Sequence, residues 1–156
     1  MNRDAHALPK RDELGRFPSG LFRYVGWEPT TKLLDLAAYW GWHGWRLQGE
    51  SIHSKPGLID ALTRTVPLPA YQGRNWDALE ESLRDLSWTR QGSHPATGYL
   101  LIWSAPYALA RSQPTTMDTA LSVLQEVSDF WRQEGVPFCV LFRRTYGAVE
   151  SLPPIR

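Results

Sequence analysis

Three carboxylates stand four residues apart in the stretch WDALEESLRDLSW: Asp77, Glu81 and Asp85. On a helix that step stacks side chains on one face, about 5–6 Å from one to the next. Trp76, Leu79, Leu83 and Leu86 recur at steps of three and four, which makes a second, apolar face. The apolar row needs a core, and the acidic row is left for something positively charged. Spacing on this scale can imitate neighbouring phosphates of a nucleic-acid backbone, so such a helix could plug a basic nuclease site. Paired carboxylates can also do acid–base chemistry. Exposed helical neighbours, however, lack the pocket that drives two proton affinities apart. A solvated face with no partner shows the same pattern, and Glu80–Arg84 reads as a plain surface pair.

The rest of the chain offers little catalytic chemistry. His6, His43, His53 and His94 are scattered, with no pair at metal-ligand spacing. His53, at the end of a strand, reads as a surface or capping residue. Cys139 is the single cysteine, inside the apolar run VPFCVLF, and reads as a small buried residue rather than a nucleophile. No phosphate loop, nucleophile elbow or zinc pattern occurs, so no metal or cofactor is implied. A small hydrolase using His53 or His43 with the acidic row is a minor alternative, with no nucleophile beside either histidine.

A turn delivers the acidic helix. In LPAYQGRN, Gly73 permits backbone geometry that a side chain would obstruct, and Asn75 is a good N-cap. Tyr71 then projects near the helix start, beside Asp77 and Glu81. An aromatic with acids on one rigid element is a hot-spot arrangement for a basic partner.

The positioning elements follow from periodicity. The spacing predicts a strand over 20–27, a helix from Pro29 to about Tyr39, a strand over 45–52 and a helix capped by Ser54. The acidic helix covers about 75–86, followed by a polar loop. GYLLIWS at 98–104 is a buried strand, and a short helix follows Pro106. A long helix runs from Pro114 to about Glu134, and VPFCVLFR at 136–143 is the last strand. Helices between apolar strands imply an α/β fold with a small parallel sheet. We read 1–19 as a flexible lead-in, 20–44 as a strand–helix extension, 45–146 as the main domain and 147–156 as a tail with little to bury. With 156 residues and a formal net charge of +1, one domain is expected and no global field favours nucleic acid. Most of the eight tryptophans are expected in the core. The lack of a signal-like start or bilayer-length apolar run, with one cysteine, suggests a cytoplasmic setting.

The stretch LPAYQGRNWDALEESLRDLSW resembles the signature of the barstar family, intracellular inhibitors of barnase-like ribonucleases. Leu68-Pro69, Tyr71, Gly73, Asn75, Asp77-Ala78-Leu79 and Leu83 fall at its fixed offsets. The likeness extends over about 46–143, with 20–44 similar to the extension of longer members. It implies a parallel three-stranded sheet, with an added N-terminal edge strand, flanked by helices. It further implies a non-enzymatic inhibitor with a ribonuclease as partner, and no membrane or direct nucleic-acid contact. Tyr71, Gly73, Asn75, Trp76, Asp77 and Glu81 fall on positions that meet the enzyme in that family. Glu81 stands for an Asp and reaches one methylene further. Trp88 matches a contact tryptophan across a short deletion, and the acidic contact of the last long helix falls on Asp129 or Phe130. Glu80 replaces an aromatic, and Arg74 an acid. A toxin-neutralising or immunity module of the same fold with another target is the alternative reading.

Overall fold

The computed structural model describes residues 8–69, 75–89 and 96–156. Among the described residues, five strands and five α-helices follow in the order β1 (Gly20–Tyr24), α1 (Thr30–Tyr39), β2 (His43–Gln48), α2 (Lys55–Thr65), α3 (Trp76–Asp85), β3 (Tyr99–Ser104), α4 (Tyr107–Ser112), α5 (Pro114–Gln133), β4 (Phe138–Arg143) and β5 (Pro154–Ile155). All pairings are parallel, in the order β2-β3-β4-β1-β5. The sheet thus has five strands where three and an edge were expected. The added N-terminal strand is interior, held between β4 and β5.

Alternation along the strands divides the core in two. Tyr99, Leu101 and Trp103 of β3 and Phe138, Val140 and Phe142 of β4 meet the apolar sides of α2, α3, α4 and α5. Leu100, Ile102, Cys139 and Leu141 point the other way, to Leu33 and Ala37 of α1. The direction of travel explains this split. The chain moves from β2 to β3 to β4 in one direction, but from β1 to β2 in the other. Crossovers of one hand must then place α1 on the opposite face from α2–α5.

An interior β1 demands cover that the sequence alone does not advertise. Phe17, read as part of a loose lead-in, is 2% exposed and packs edge-on against Tyr24 and Trp40. Arg11 holds Glu28 at 2.7 Å, and Tyr24 donates to the same carboxylate. Burial raises that carboxyl's pKa, but the bonds from Arg11 and Tyr24 outweigh it and leave Glu28 below the ordinary range. At the other end Val149 and Ile155 are buried, and β5 pairs with β1 through Arg23↔Pro154 and Tyr24↔Ile155. Proline is tolerated there because β5 is an edge. Of the tryptophans, Trp42 and Trp103 are buried, whereas Trp27 and Trp88 stand out among the exposed residues. No helix of the described residues is long and apolar enough to cross a membrane.

Candidate functional site

Helix α3 begins as its sequence dictates. Asn75 is extended, and its Oδ1 accepts from the Ala78 N–H at 2.8 Å, which satisfies one orphan donor of the first turn. Asp77 in that turn is favourably placed on the positive end of the helix dipole. The helix stops at Leu86, which takes the left-handed conformation (φ 43°) yet is almost fully buried. Burying a leucine returns about 1.5–3 kcal/mol, enough to hold a backbone conformation that otherwise favours glycine.

Leu79 and Leu83 are buried, and Trp131 Nε1 on α5 donates to the Leu83 carbonyl at 2.8 Å. One side of α3 is therefore pinned down. Asp77 and Glu81 lie on the outward side and are exposed. Among the described residues neither carries a hydrogen bond or an ion pair. Asp85 continues the row and accepts from Ser87 Oγ at 3.2 Å. Among the described residues, the two carboxylates nearest the capped end thus have no counter-charge paired with them.

The flank facing α5 is different. Arg84 reaches Glu80 at 3.4 Å and Glu126 at 3.8 Å, with its guanidinium 5.4 Å from the Phe130 ring centre. The expected Glu80–Arg84 pair is present, and Glu126 and Phe130 extend it into an interhelical cluster. Asp129 is half-buried and taken up on its own helix, by Arg132 at 2.6 Å and Gln125 at 3.0 Å. The three-residue step from Asp129 to Arg132 allows this pair, and the structure closes it.

Trp76 is half-buried at the start of α3, packed on the core, with Lys55 Nζ 5.6 Å from its ring centre. Trp88 lies past the other end of the helix, beyond the left-handed Leu86 and in the short turn Ser87–Thr89. It is 45% exposed and leans on His43 and Trp45, each at 6.1 Å between ring centres. The structure therefore brings Asn75, Trp76, Asp77 and Glu81 together and sets Trp88 apart. Tyr71 and Gly73 lie outside the described residues, as does Arg74.

The chemistry of the remaining candidates is limited. His43 Nε2 donates to the Thr89 carbonyl at 3.0 Å, and its ring stacks beside Trp45 and Tyr99, which themselves stack at 5.8 Å. His53 is exposed, and neither histidine has a carboxylate partner among the described residues. Cys139 is fully buried, and desolvation pushes its thiol well above the ordinary value, which disfavours the nucleophilic thiolate. The arrangement is suited to binding a cationic surface, and no acid–base or nucleophilic pair is assembled among the described residues.

Residues 42–143, well over half of the chain, match the family described as Barstar (barnase inhibitor). The chain belongs to the barstar family. The matched span opens just before β2 and closes with β4, so it contains the contiguous β2-β3-β4 unit and α2–α5. The strand β1 and helix α1 lie ahead of it as an N-terminal extension, and β5 lies after it. The three-stranded sheet expected from the resemblance is this barstar unit, widened on the β4 side. A search of curated protein sequences gives no match.

Proposed function

We propose that this protein is an intracellular inhibitor that occludes the active site of a barnase-like ribonuclease with α3 and the loop before it. The observation that carries the reading is the pair Asp77 and Glu81, exposed and without a partner among the described residues, on the outward side of a helix whose inward side is fixed. A ribonuclease active site holds cations that bind phosphate. Two carboxylates on a preorganised helix meet such cations with little ordering cost. Asn75 fixes the helix start, Trp76 and Tyr71 supply apolar area, and Gly73 lets the loop backbone approach closely. Trp88 and Asp129 would act at the margins, the one beyond the far end of α3 and the other only after release from Arg132. Membership of the barstar family supports inhibition in general, and the free carboxylates support this surface.

A titration of a barnase-like ribonuclease, read as cleavage of a fluorogenic RNA, tests the proposal. Stoichiometric, substrate-competitive inhibition is expected. Binding without loss of cleavage would move the function to a toxin-neutralising module that acts on another target.

A further inference from the structure

Among the described residues, strand β2 is paired on one side only. The N–H groups of His43 and Gly49 point to the β3 side, bonding the Gly98 and Ser104 carbonyls at 3.0 and 2.8 Å. Alternation then turns the main-chain groups of Gly44, Arg46 and Gln48 outward, where no described residue meets them. Beside this edge lies a cleft of about 440 Å³, floored by β2 and walled by the Gly57, Asp60 and Arg64 side of α2. Arg46 and Arg64 both line it, and neither has an ion pair or hydrogen bond among the described residues. Asp60 has a partner of its own.

We infer that this cleft takes an extended acidic segment of a partner protein, added to β2 as a sixth strand. Three features favour that occupant. The outward N–H and C=O groups supply a main-chain template of the kind that β-strand addition uses. Leu47 faces the core under α2, so Arg46 alternates to the other side of the edge, while Arg64 stands over the α2 side. Successive acids on an added strand would therefore find one guanidinium on each face. The charge argues against a basic segment and against a second β2 edge, which would bring Arg46 against its own copy. Arginine on an edge strand also protects against indiscriminate pairing, which makes the edge selective for acids. The surface is separate from the outward side of α3, and the inference stands without the ribonuclease reading.

Selection of a phage-displayed random-peptide library on the full chain tests it. Enriched peptides should carry Asp or Glu at alternate positions and slow deuterium exchange at the Gly44, Arg46 and Gln48 amides. Arg64→Glu and Arg46→Glu should each weaken the enriched peptide by about tenfold or more, whereas Glu81→Ala should leave it unchanged. Both arginine substitutions are at exposed positions, and a circular dichroism spectrum identical to the parent's shows that they fold. Enrichment of no acidic peptide, or binding indifferent to both substitutions, would overturn the inference. Loss of binding with Glu81→Ala, or protection of the same amides by self-association without peptide, would do so too.

Discussion

Asp77 and Glu81 of α3 and Asp129 of α5 lie on neighbouring helices and differ in what surrounds them. Asp77 and Glu81 have no described partner, whereas Asp129 is held by Arg132 at 2.6 Å and by Gln125. A carboxylate already satisfied must exchange one ion pair for another when a partner arrives, and the net gain is small. A free one gains the whole interaction. Charge alone therefore does not locate a binding surface, and the count of prior commitments does so better.

The largest expected effect is at Glu81. Its replacement by alanine should weaken ribonuclease binding by about 2–5 kcal/mol, because the partner's buried cations lose their counter-charge. Calorimetry checks this, and an equal loss for Asp129→Ala would erase the distinction between the two helices. Leu83→Ala should leave that charge in place but lower stability by about 2–5 kcal/mol in urea denaturation, since the side chain is fully buried. Asn75→Ala should cost about 1 kcal/mol of stability through the lost cap, read in the same assay. It should also blunt binding by loosening the helix start. The smallest effect is the sharpest: Arg132→Ala frees Asp129 and should raise affinity for a basic enzyme by about twofold at most, from the few tenths of a kcal/mol typical of exposed helix pairs. A fall in affinity would show that Arg132 itself is a contact.

Much of this was legible before any coordinates. The cap at Asn75, the buried Leu79–Leu83 side and the exposed acidic row follow from helical spacing, and the family signature lies in the same residues. The strands β3 and β4 announce themselves as apolar runs. The position of β1 was not legible, because a five-residue strand looks the same at an edge or inside a sheet. Its pairing with β4 on one side and β5 on the other, both far away in sequence, shows that both its neighbours are occupied. The two-residue β5 carries no pattern of its own. The capture of Asp129 by Arg132 was readable in principle from their three-residue step, but many such pairs on exposed helices never close. Trp88, grouped with the contact residues by resemblance, sits with His43 and Trp45 because the left-handed turn at Leu86 ends α3 before it.

The account rests on the outward carboxylates of α3. Its most direct test is isothermal calorimetry of a barnase-like ribonuclease against the parent chain and against Glu81→Ala. One-to-one binding by the parent is predicted, with affinity lowered by about thirtyfold or more in the variant. Equal affinities for the two proteins would contradict it.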